Sequence, residues 1–157
     1  MVRNWIVATC LGFLAGCGSA PTSPSEAVAD ITSAPTHVAA GGQTITLTAS
    51  IWRDFMPPTP PDGRPLIAVL QVKTESGAAV PAGVIADKAW MISGQDIWST
   101  LVHERPRAET APLYEVVVRD GPKWGPGIAV DVVVRLTDTS GRAFLLRAPN
   151  QVIYRSE

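Results

Sequence analysis

The placement of proline constrains this chain more than any other feature. Twelve of its 14 prolines lie at or beyond Pro35. Proline lacks an amide hydrogen and clashes inside helices and central strands, so regular structure must fit between these positions. The intervals are short, and most of them read as strands. Residues 44–51 alternate polar and apolar side chains, the period-two pattern of a half-buried strand. Residues 66–73 (LIAVLQVK) are β-rich, and residues 113–119 place Tyr114, Val116 and Val118 on one face. Residues 128–137 put Ile128, Val130, Val132, Val134 and Leu136 on one face, with Asp131, Arg135 and Thr137 on the other. Asp138-Thr139-Ser140-Gly141 predicts a hairpin turn. Residues 143–147 then return as its partner strand. Pro149-Asn150 interrupts that strand as a bulge, and residues 152–155 finish the sheet edge.

Residues 82–105 allow two readings. Residues 89–92 and 97–102 around Ser93-Gly94-Gln95 form a hairpin in one. In the other, Ile97, Trp98, Leu101 and Val102 share a helix face capped by Asp96. The all-β context favours the hairpin. Apolar residues make up 46% of the chain and charged residues 17%, so there is material for a core. The expected fold is all-β: an immunoglobulin-like β-sandwich of about 7–9 antiparallel strands. The late stretch from Trp124-Gly125-Pro126-Gly127 to the Asp138–Gly141 turn resembles the end of bacterial immunoglobulin-like domains. That likeness covers about 35 residues and implies a fold, not a function.

The first 16 residues read as a signal peptide. Arg3 precedes an apolar run of 12 residues, about 18 Å as a helix, against a hydrocarbon core of roughly 30 Å. Leu14-Ala15-Gly16-Cys17 resembles the lipobox of bacterial lipoproteins. The resemblance implies cleavage between Gly16 and Cys17, acylation of Cys17, and a chain held to a membrane by its lipid. Gly18 follows the cysteine where enteric lipoproteins kept in the inner membrane carry Asp, so the resemblance favours the outer membrane. Residues 17–34 are then the acylated cysteine and a flexible tether, small, polar and proline-containing. Residues 35–157 form the domain. Cys10 leaves with the signal peptide, so the domain holds no thiol for catalysis, metal binding or redox chemistry.

The remaining groups do not converge on a catalytic pattern. A formal charge of −1 supplies no basic surplus for nucleic acid. His37 and His103 have no metal-ligand spacing, and the Asp138 turn lacks the matched second loop of aspartic proteases. No catalytic residue, metal or cofactor is expected, and a hydrolase is the less favoured reading. The most unusual stretch is FMPPTPPDGRP, residues 55–65. Polyproline II structure here would suit partner recognition, and a rigid connection between two strands of opposing sheets would explain it equally. Trp52 falls on the face opposite Ile45, Leu47, Ala49 and Ile51, hence outward. Trp52, Phe55, Pro58, Pro60, Pro61 and Trp124 are therefore the candidate ligand or partner surface. The expected role is a non-enzymatic binding or structural one at the cell envelope. An envelope protein or glycan is the expected partner, and a carbohydrate- or peptide-binding module is the alternative.

Overall fold

Period-two burial runs along the strands of this protein and determines how its sheet curls. The computed structural model describes residues 27–102, 108 and 110–157. The signal peptide, Cys17, residues 18–26 of the expected tether and His103 lie outside the described residues. A short helix α1 (Val28–Thr32) is followed by eight strands: β1 (His37–Ala40), β2 (Gln43–Asp54), β3 (Leu66–Thr74), β4 (Ile85–Ser93), β5 (Asp96–Leu101), β6 (Leu113–Gly121), β7 (Ala129–Thr137) and β8 (Ala143–Ser156). The fold is all-β, one curled mixed sheet in the order β5-β4-β7-β8-β2-β3-β6, with β1 also paired to β2. Residues 85–101 form the hairpin, β4 pairing antiparallel with β5 around Gly94.

Alternate residues of β2 and β3 turn inward: Ile45, Leu47 and Ile51, then Leu66, Ala68, Leu70 and Val72. Tyr114, Val116 and Val118 of β6 join them. From the other half of the curl come Ala89 and Met91 of β4, Val130, Val132, Val134 and Leu136 of β7, and Leu146 and Ala148 of β8. Removal of these side chains from water drives the curl, at about 25 cal/mol per Å² of apolar surface.

Strand β8 joins the two halves. Its first part pairs antiparallel with β7, up to Val152 opposite Ala129. Its last part, Ile153 to Ser156, runs parallel to Ile51–Asp54 of β2. Residues 152–155 were expected at the sheet edge of an antiparallel fold, and this pairing corrects both points. The cause is the expected bulge: Pro149 and Asn150 both stand opposite Asp131, between the pairs Val130–Gln151 and Val132–Ala148. Asn150 takes φ 55°, the left-handed conformation that asparagine tolerates. Its amide donates to Asp131 Oδ1 at 2.8 Å, which holds the bulge. The strand bends there, leaves β7 and reaches β2.

Two further differences from the sequence reading share one cause. Residues 28–34 were assigned to the tether, yet Ile31 and Ala34 are 3% and 2% exposed. Val133 was read as part of one strand with a polar outer face, yet it is fully buried. These residues cluster with Trp90 and Ile92 on the outside of the β4–β7 half, where α1 lies across the sheet. Arg147 clamps the helix by donating from Nη1 to Thr32 O at 3.1 Å and to Asp131 Oδ2 at 3.2 Å. The amide of Arg147 also donates to Pro35 O at 2.8 Å. The expected outcome for Ile31→Ala is a loss of about 2–3 kcal/mol in urea unfolding, because a packed side chain leaves a cavity. Val28→Ala, at a position 61% exposed, is expected to change stability by less than about 0.5 kcal/mol.

Candidate functional site

Inward alternation along β2 ends on a charge. After Ile45, Leu47, Ala49 and Ile51 the next inward position is Arg53, which is 4% exposed. Backbone carbonyls meet it. Nε donates to Arg64 O at 3.0 Å, and Nη1 donates to Lys123 O at 3.1 Å and Gly125 O at 2.8 Å. Nη2 donates to Asp62 O. One guanidinium thus ties the loop between β2 and β3 to the connection between β6 and β7. Hydrogen bonds to a charged donor are worth about 1.5–3 kcal/mol each, and the carbonyls would otherwise lie unpaired at the end of the core.

That bonding decides the form of the proline-rich stretch. Residues 55–65 are two successive tight turns, closed by Thr59 N to Met56 O at 2.9 Å and Gly63 N to Pro60 O at 2.8 Å. An extended polyproline II segment is not what the loop adopts, because each turn reverses the chain within four residues. The loop joins β2 to β3, neighbours in the same half of the sheet, not strands of opposing sheets. Phe55 lies between two guanidinium groups, Arg53 at 5.0 Å and Arg155 at 4.1 Å from its ring centre. Gly63, at φ 72°, packs against that ring so closely that a Cβ would come within 2.6 Å of it.

The six candidate surface residues therefore separate. Pro58, Pro60 and Pro61 are exposed at the loop, and Phe55 is half-buried between the two arginines. Trp124 packs against the core beside the corner that Arg53 binds. Gly127 N donates to Ile153 O at 2.8 Å, which seats that corner on β8. Trp52 does point outward, half-buried, with Ile67 of β3 on one side and Tyr154 of β8 on the other. Tyr154 is 64% exposed. Beside Ile67 lies a shallow hollow of about 200 Å³ lined by Arg64, Pro65, Ile67, Arg119 and Asp120. It forms because Arg119 and Asp120 both stand opposite Ile67 in a second bulge, where Asp120 takes φ 59°.

The structure thus brings Trp52 together with two residues that sequence reasoning did not single out, Tyr154 and Ile67. Trp52 and Phe55 are near in sequence but turn to opposite faces. Arg53 was missed as well, and its signal was present: an arginine on the inward row of a strand.

Several ionisable groups are engaged in structure. Asp62 carries a hydrogen bond from Lys123 Nζ, and that contact holds its carboxyl below the ordinary value. Asp138 is lowered by the Ser140 hydroxyl and by the amides of Arg142 and Ser140. These bonds, with Gly141 N to Asp138 O at 2.9 Å, make residues 138–141 the expected hairpin turn. His37 uses both ring nitrogens on exposed neighbours, Nδ1 with Thr36 at 2.8 Å and Nε2 with Glu75 at 3.0 Å. Comparison with family models, curated proteins and solved structures yields no significant match.

For Arg53→Met the expected outcome is a stability loss of about 3 kcal/mol, read from the urea midpoint, since buried carbonyls lose their donor. Arg64→Met, at a side chain 55% exposed and 3.6 Å from Asp54, should cost less than about 1 kcal/mol.

Proposed function

We propose that this protein is a bacterial envelope lipoprotein whose immunoglobulin-like β-sandwich performs a non-enzymatic binding or structural role. The lipobox Leu14-Ala15-Gly16-Cys17 carries the anchoring part of this reading. Acyl chains on Cys17 hold the molecule to a membrane, the outer membrane by the residue that follows. Two acyl signals or more are needed for stable anchoring, and lipoprotein processing supplies them together. The curl of the sheet, with β8 passing from β7 to β2, supports the sandwich part of the reading.

The two outer faces differ in a way that fits an anchored module. The described chain begins on the outside of the β4–β7 half, where α1 is clamped. The row Tyr154, Trp52 and Ile67 lies on the outside of the other half, together with the hollow at Arg119. The expected outcome for Cys17→Ser in the full chain is loss of palmitate labelling and of signal processing. The chain should also move from the membrane to the soluble fraction. Labelling unchanged by Cys17→Ser would overturn the anchor.

The same row favours a second reading, a platform for a glycan or an extended peptide. An indole face and an exposed phenol across adjacent strands offer apolar stacking, and Arg64, Arg119 and Asp120 offer polar groups at the row's end. Under this reading Trp52→Ala and Tyr154→Ala each weaken retention on immobilised envelope glycan at least tenfold. Trp98→Ala, on the other half, leaves it unchanged. Equal retention by all three variants would remove the platform.

A further inference from the structure

A stacking surface and a cation meet at one end of the outer face of the β8–β2–β3–β6 half. Register sets Tyr154, Trp52 and Ile67 side by side, and the next strand places Arg119 and Asp120 together opposite Ile67. Neighbouring strands lie about 4.8 Å apart, so the backbones of Trp52 and Arg119 are two spacings, roughly 10 Å, from each other. The hollow of about 200 Å³ opens at this end of the row, lined by Arg64, Pro65, Ile67, Arg119 and Asp120. These side chains lie on the sheet face, and Leu113, where β6 begins, is roughly 20 Å away along the strand.

The charges of the hollow are unequally engaged. Arg64 has Asp54 at 3.6 Å and donates from Nε to Thr59 Oγ1 at 3.3 Å. Arg119 is exposed, and its guanidinium has no hydrogen-bond or ion-pair partner among the described residues. Asp120 is exposed beside it, held out of the strand's alternation by its φ of 59°. An extended peptide binds a sheet by taking up backbone groups at an edge. At Trp52 the backbone is already paired on both sides, with Ile67 of β3 and Tyr154 of β8. The face therefore offers flat side-chain surface with polar groups at its rim. A sugar ring suits that combination, because its C–H bonds pack on an indole while its hydroxyls reach sideways to polar groups.

We infer that the ligand of this platform is an acidic glycan, an inference that rests on the platform reading given above. A sugar ring packs on Trp52, and a carboxylate of the same glycan enters the hollow and accepts two hydrogen bonds from Arg119. A carboxylate matches the planar guanidinium with two parallel N–H···O bonds, and such charge-assisted bonds are about twice as strong as neutral ones. Asp120 accepts from a sugar hydroxyl beside that carboxylate, and Arg64 adds positive potential from the other wall.

The test measures retention of the full chain on immobilised polygalacturonate, polymannuronate and polyglucuronate, and on their methyl esters, which keep the ring and lose the charge. At least one acid form is expected to bind about tenfold more tightly than its ester, the size of one charge-assisted pair. Arg119→Gln should bring that acid form down to the level of the ester and leave the ester unchanged. Lys73→Gln removes a positive charge elsewhere on the same outer face and should leave the preference intact. Trp52→Ala should weaken both forms together. No retention on any polymer, or retention indifferent to Trp52→Ala, overturns the platform and the acidic ligand with it. With the platform intact, equal binding of acid and ester overturns the acidic ligand alone. So does a preference that survives Arg119→Gln or falls as far with Lys73→Gln. Retention on polyglutamate equal to that on the best polyuronate would overturn the glycan in favour of a peptide.

Discussion

Arg53 stands where the inward row of β2 has already excluded water, so its charge must be satisfied by the protein itself. Four carbonyls do this, two from the loop after β2 and two from the corner before β7. A buried charge without such partners would cost several kcal/mol, which makes the arrangement nearly obligatory once the strand alternates as it does. The consequences extend outward from there. The proline-rich loop is drawn into two tight turns, Phe55 is stacked between arginines, and the Trp124 corner is seated on Ile153 of β8. That seat is also where β8 joins β2.

The curl of the sheet depends on irregularities that carboxylates hold in place. Asp131 binds the amide of Asn150 at the bulge in β8 and the guanidinium of Arg147, which in turn grips the end of α1. Asp87, the extra residue of a bulge in β4, is held by Arg135 through a two-pronged pair at 2.8 and 2.9 Å. Bent strands of this kind let one sheet wrap a core, and they place the remaining apolar rows on the outside in particular spots. One such row is covered by α1. Another, at Trp52, Ile67 and Tyr154, is left open to solvent on one side.

These features fit the proposed binding or structural role. Several ionisable side chains near Arg53 are tied into turns and clamps. The row of Tyr154, Trp52 and Ile67 faces solvent.

Strand positions, the hairpin turns and the Pro149 bulge were legible in the sequence, because period two, glycine turns and proline exclusion act over a few residues. Residues 44–51, 66–73 and 113–119 fall within β2, β3 and β6, and the outward placement of Trp52 followed from the same alternation. The partner of each strand was less legible. Nothing local says that residues 153–156 leave β7 and run parallel to β2, or that Ile31 and Ala34 cover Val133. The candidate site was legible only in Trp52, since Tyr154 lies 102 positions away and meets it across a pairing that depends on the bulge. The sequence by itself determined that this chain makes strands and where they break, because those are properties of neighbouring side chains. Only the tertiary structure decided that Arg53 closes the core and that Trp52 faces Tyr154, because long-range pairing sets which distant groups share one desolvated space.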